Sequence, residues 1–150
     1  MFRSALLLFL VLTLPVRANL GETVEQCVAR YGRPIGYSEA NAQSPFGTVV
    51  FAAAGYKLTV FLIGTTEVGA RIVKDEGGAF TDTEQQNILA ADSDGTPWNP
   101  TTSDDPTCLC WTRGDKATAL YDKQKHTLLF SSTAMAAALK AHPAKPDAAN

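Results

Sequence analysis

The chain has 150 residues, 45% of them hydrophobic, and its 13 basic and 15 acidic side chains leave a formal net charge of −2. That length supplies one ordinary core, or two very small units sharing one, and the composition excludes disorder except at the ends. The mildly acidic balance lacks the electrostatic footprint of a binder of nucleic acid or anionic membrane.

Met1–Ala18 reads Met-Phe-Arg-Ser, an apolar run Ala5–Leu12, then Thr13-Leu14-Pro15-Val16-Arg17-Ala18. One positive charge ahead of an apolar centre, with small residues at Val16 and Ala18, is the layout of a secretory signal peptide cut after Ala18. The apolar stretch is about ten residues, half the roughly twenty that cross a bilayer, so it reads as an address and not an anchor. No integral membrane span is expected, and the chain from residue 19 is expected in the periplasm or outside the cell. Arg3 and Arg17 leave with the signal, so 13 − 2 = 11 basic residues face 15 acidic, a formal charge of −4.

Residues 19–142 read as a single α+β domain: an antiparallel sheet with short helices on one face. Thr23 followed by Gln26 has capping-box spacing, and Leu20, Val24, Cys27, Val28 and Tyr31 form one apolar stripe. Gly32 and Pro34 stop this first helix after about two and a half turns. Residues 35–45 lack a period and read as a connection. Thr48–Ala53, Tyr56–Ile63 and Val68–Lys74 follow as strands joined by tight turns, with Tyr56–Ile63 the strongest. Thr81 and Glu84 repeat the capping box and open a second helix that ends near Asp92. Residues 92–107, rich in Asp, Ser, Thr and Pro around Trp98, read as the longest loop. Thr107–Arg113, Lys116–Tyr121 and Thr127–Ser132 read as strands, Thr133–Ala141 as a terminal helix, and residues 143–150, with Pro143 and Pro146, as a disordered tail. The order of helix, loop and three strands recurs, giving two αβββ halves at 20–75 and 80–132.

An exported chain with Cys27, Cys108 and Cys110 has one thiol left over if a bridge forms. Cys108 and Cys110 lie i, i+2 on one strand, a strained pairing, so the expected disulfide joins Cys27 to Cys108 or Cys110. The competing expectation is three small buried residues without a bond.

Sites of reaction chemistry are sparse. Cys108, Cys110 and His126 do not have a usual structural-zinc spacing, so no metal is expected. A Cys/His nucleophile pair has no local support. No phosphate loop, Gly-x-Ser-x-Gly or His-Glu-x-x-His occurs. Asp92, Asp94, Asp104 and Asp105 lack the spacing of a calcium loop and read as solvated. Arg113, Lys116, Lys123 and Lys125 read as a charged rim that blunts strand edges. Trp98, Trp111, Tyr37 and Tyr56 are the aromatic residues best suited to binding. Trp111 lies on the opposite strand face from Cys108 and Cys110, and would mark a contact surface if that face is open. The bland alternative makes both tryptophans core or loop anchors.

The segment Leu20-Gly21-Glu22-Thr23-Val24-Glu25-Gln26-Cys27-Val28 through Tyr31-Gly32-Arg33-Pro34 resembles the opening of the SmpA/OmlA outer-membrane lipoprotein family and of the β-lactamase-inhibitor-protein-like fold. The resemblance implies a helix lying across an antiparallel sheet. The family's lipidation cysteine directly after the signal has no counterpart, because Asn19 follows Ala18, and no inhibitory loop residue matches. These observations lead to the expectation of a small exported, non-enzymatic binding or interaction module without a cofactor. It would meet another protein through its open sheet face and the Trp98 loop. The alternative, by fold analogy alone, is an inhibitor of a secreted enzyme.

Overall fold

The computed structural model describes residues 16–142. The first fifteen residues of the expected signal and the expected tail 143–150 lie outside the described residues. The first helix, α1 (Val24–Tyr31), begins as its sequence dictates. The Thr23 hydroxyl accepts from the Gln26 N–H, and the Gln26 amide oxygen accepts from the Thr23 N–H at 2.8 Å. Gly32, at φ 83°, ends it in a backbone region that L side chains avoid. Four strands follow: β1 (Gly36–Ser38), β2 (Gly47–Ala53), β3 (Tyr56–Ile63) and β4 (Thr66–Lys74). The second half repeats the plan with α2 (Asp82–Asp92), capped by Thr81 and Glu84, then β5 (Asn99–Thr101), β6 (Cys108–Thr112), β7 (Thr118–Asp122) and β8 (Thr127–Ser131). The last helix is α3 (Thr133–Ala141).

All eight strands join one antiparallel sheet in the order β1-β2-β3-β4-β8-β7-β6-β5. The fold class is α+β. Each half contributes a contiguous block of strands, and the blocks meet where β4 pairs β8, with Ala70 opposite Phe130 and Ile72 opposite Leu128. Each half has one strand more than expected. β1 lies inside the predicted connection and β5 inside the predicted long loop. Both are three residues long and too short to show alternation; they exist because β2 and β6 offer them a backbone edge, pairing Tyr37 with Val49 and Pro100 with Trp111.

Alternation then sorts the side chains. Val49, Phe51, Leu58, Val60, Ile72, Trp111, Tyr121, Leu128 and Phe130 turn to one face, where Cys27 of α1 and Ile88 and Leu89 of α2 close the core over them. Val16 and Ala18 belong to the same core, at 3% and 0% exposure. The other face is not bare. α3 lies across it, and Met135 packs with Phe46 and Val68 in a second, smaller cluster flanked by Phe61 and Ala138. Gly69 makes that approach possible: a Cβ there would overlap Met135 and sit 2.8 Å from the Phe130 carbonyl oxygen. Helices thus cover parts of both faces, where one had been expected. α3 had no strong apolar stripe to announce its partner, only Met135 and small alanines.

Candidate functional site

The aromatic residues singled out from sequence are mostly consumed by packing. Trp111 does oppose Cys108 and Cys110 on β6, but its face is the one under the helices, and it is a core residue at 6% exposure. Trp98 is half-buried, edge-on to Phe130 with ring centroids 5.6 Å apart, and the Arg113 guanidinium lies 5.0 Å over its ring. It anchors the loop after α2. Tyr56 stacks on Phe80 at 5.8 Å, and its hydroxyl donates to Glu84 at 3.3 Å. Trp111 is thus withdrawn into the core, while Trp98 and Tyr56 are half-buried and committed to these contacts. Arg113 likewise is no rim residue. It donates to the Asp92 carbonyl at 2.8 Å and carboxylate at 3.2 Å, and grips Asp115 with two more nitrogens. Burial pushes the Asp92 carboxyl up, and the facing Arg113 pulls against it.

The expected bridge from Cys27 to Cys108 or Cys110 is not formed; all three are free thiols. Sheet order gives the reason. Cys27 contacts Glu67 of β4, and β6 lies three strands away, about 14 Å at the usual strand spacing. A disulfide requires Cα atoms within roughly 7 Å. Cys108 instead faces Asp105 and Thr107.

Apart from Val28 on α1 and Leu139 on α3, the exposed large apolar residues among those described lie at or near the β1 side of the sheet. Ile35 and Tyr37 are 62% and 67% exposed, and Ile63, at the tip of the β3–β4 hairpin, is also exposed. Tyr37 and Ile63 line a groove of about 570 Å³ with Val24, Pro34, Pro45 and Leu62. Its charged lining residues are Glu25 and Glu39. The two sheet edges differ. β5 carries Pro100, which cannot donate a backbone hydrogen bond, whereas β1 has no proline. Tyr37 was legible as a binding aromatic. Ile35 and Ile63 were not: Ile35 lies in a stretch that reads as a connection, and Ile63 ends an apolar strand that reads as core until the edge is located.

Beneath α1 lies a buried polar cluster that sequence spacing did not reveal. Glu67 is 2% exposed and Cys27 1%. The Cys27 thiol meets the Glu67 carboxylate at 3.5 Å, and Glu22 pairs with Arg30 and accepts from the Asn19 side-chain amide. Burial above all raises the Glu67 carboxyl to about 7; the Cys27 contact and the nearby Asn19 backbone N–H oppose the rise. Burial, then the Glu67 charge, pushes the Cys27 thiol to about 12. Tyr31, whose hydroxyl donates to the Arg17 carbonyl, is also raised to about 12, mainly by burial. Glu67 Oε1, Glu22 Oε2 and Arg30 Nη1 are buried without a partner. Among the described residues, Glu22, Cys27 and Glu67 form the one group whose ligand atoms converge within 4.8 Å, as a metal would require. Cys108, Cys110 and His126 form no such group. A thiol held at about 12 is a poor nucleophile, since only the thiolate attacks.

No protein-family model matches the sequence, and no curated protein matches it. Among solved structures, the chain is similar to an extracellular protein containing an SCP domain from Bacillus anthracis str. Ames, with a TM-score of 0.46 and 10% identity over 85% of this chain and 51% of that one. It is also similar to a cysteine-rich secretory protein from Staphylococcus aureus subsp. aureus Mu50, with a TM-score of 0.45 and 9% identity over 87% of this chain and 48% of that one. The chain spans about half the length of the solved structures it matches.

Proposed function

We propose that this protein is a small exported, non-enzymatic binding module that holds a segment of another protein against the β1 edge and the adjoining groove. The observation that carries the reading is an open groove lined by the exposed Tyr37 and Ile63, with the exposed Ile35 just ahead of β1, at the sheet edge that has no proline guard. An extended segment laid along β1 would gain main-chain hydrogen bonds, while its side chains entered the groove. The acidic lining at Glu25 and Glu39 favours a segment that places Lys or Arg beside its apolar residues. Export, with the cut after Ala18, rests on the layout of residues 1–18. No helix among the described residues is long and apolar enough to cross a membrane.

The test is affinity capture from the exported fraction with the wild type and with a Tyr37→Ala/Ile63→Ser double variant. Both positions are exposed, so the variant is expected to keep its thermal stability and to lose the captured partner. Capture of the same proteins by both would refute the groove as the binding surface. If the captured protein is a hydrolase that loses activity on binding, the module acts as an inhibitor.

A further inference from the structure

Glu67 is a buried carboxyl with one oxygen unpartnered, and the turn that begins at the Asn19 N–H is bonded to the Glu67 backbone through Gly21 and Glu22. That N–H belongs to the peptide bond expected to be cut on export. We propose that cutting after Ala18 places the new α-ammonium of Asn19 against the Glu67 carboxylate, so that processing completes a buried ion pair. The proposal rests on the cut-site reading. Hydrolysis adds one water across the Ala18–Asn19 bond. It leaves a carboxylate on the departing Ala18 and an amine on Asn19, which takes up the released proton.

The position of Asn19 does not depend on the residues that leave. The Asn19 carbonyl accepts from the Glu22 N–H at 3.0 Å, and its side-chain amide donates to Glu22. Gly21 N–H donates to the Glu67 carbonyl at 2.9 Å, and Glu67 N–H donates to the Glu22 carbonyl at 2.7 Å. Every one of these bonds survives the cut, so the turn 19–22 stays fixed to β4 and holds the new terminus at the cluster. A peptide N–H has one donor in a fixed direction, and here it leaves Glu67 Oε1 unpaired. An ammonium has three donors on a rotor. The charges also close. Among the described residues, Arg30 is the cation paired with Glu22 and acting on Glu67 before the cut; the cut removes Arg17, which acts on Asp92, and adds the α-ammonium. Cys27 and Tyr31 of α1 complete the surroundings as neutral groups, and Asp92 of α2 acts on Glu67 from farther off.

To test this, the full chain is expressed with its own leader and purified from the exported fraction. Intact mass is expected to give a chain beginning at Asn19; any other terminus overturns the cut-site reading and the proposal with it. The folded protein is then pulse-labelled with an amine-reactive anhydride at neutral pH. The α-amine of the wild type is expected to label at least tenfold more slowly than that of Glu67→Gln. Equal rates overturn the ion pair while leaving the cut site intact. If Glu67→Gln fails to fold, titration of the wild-type α-amine decides: it should lie above the ordinary range of about 7.7–8.0, and a value inside that range overturns the pair. Native mass spectrometry showing a bound divalent ion would assign the cluster to a metal and overturn it as well.

Discussion

The chain that retains residues 16–18, with its amide at Asn19, should show the cost of Glu67 directly. Its carboxyl is raised from 4.5 to about 7, chiefly by burial. Below pH 4.5 both folded and unfolded chains are protonated there, and the group is neutral to stability. Between 4.5 and about 7 the unfolded chain ionises while the folded one keeps its proton, so the folded state binds more protons and stability falls as pH rises. Above about 7 the loss levels off. At 1.36 kcal/mol per pH unit, a shift of 7 − 4.5 = 2.5 units corresponds to about 3 kcal/mol. Glu67→Gln has nearly the same shape and cannot ionise. A chain beginning at Val16 and its Glu67→Gln variant should therefore have similar urea stabilities near pH 4, and the variant should be more stable by about 3 kcal/mol near pH 8. Asp92, raised in the same direction, adds a decline of the same sign to both proteins, smaller in the variant because the Glu67 charge contributes to its rise. Parallel pH profiles for the two would refute the assignment of a buried, uncompensated carboxyl at this position. In a chain that begins at Asn19 the α-ammonium should erase most of this difference.

Two further outcomes follow from the packing. Alkylation of the folded protein without a reductant should modify Cys108 and Cys110, both half-buried, and spare Cys27, which should react only after unfolding. A mass showing fewer than three alkylated thiols after unreduced denaturation would reinstate a bridge. Gly69→Ala should cost about 1–3 kcal/mol, because its Cβ would enter the space of Met135 and approach the Phe130 carbonyl. Pairing it with Met135→Ala should recover part of the loss in a denaturation series, and no recovery would mean that α3 does not press on Gly69.

The elements that carried their own signals were legible. Thr23 with Gln26 and Thr81 with Glu84 marked both helix starts, because a capping box is a local contract between residues three apart. Tyr56–Ile63 announced itself by an apolar density that no loop sustains. What escaped was set by neighbours distant in sequence. β1 and β5 take their extended form from β2 and β6. Trp111 alternates correctly with Cys108 and Cys110, yet alternation cannot say which face is covered; that is decided by where α2 lands. The disulfide failed for the same reason, since the spacing of three cysteines carries no strand order. Glu67 was hidden in the expected turn ahead of Val68–Lys74, where a glutamate reads as solvated. A register shift between Phe61 and Leu62 against β4 places Glu67 opposite Leu62, with its side chain under α1.

The same register explains why cutting at Ala18 is compatible with a stable fold. Removing Val16 and Ala18 gives up the burial of two apolar side chains, about 1.5–3 kcal/mol for Val16 and about 1 kcal/mol for Ala18. Tyr31 loses the Arg17 carbonyl as acceptor, a hydrogen bond worth about 1 kcal/mol. Against this, the ammonium's charge offsets the effect of burial on the Glu67 carboxyl, a penalty of about 3 kcal/mol at neutral pH. Desolvating the ammonium takes back some of that gain. The two sides balance to within a few kcal/mol, so the folded state does not depend on keeping residues 16–18. The exchange replaces an apolar plug with a polar, charge-balanced terminus. The space beside Tyr31 and the Ala91 carbonyl, which Arg17 now bonds, has the donors and acceptors that water needs. A cut after Ala18 would therefore cost the fold little.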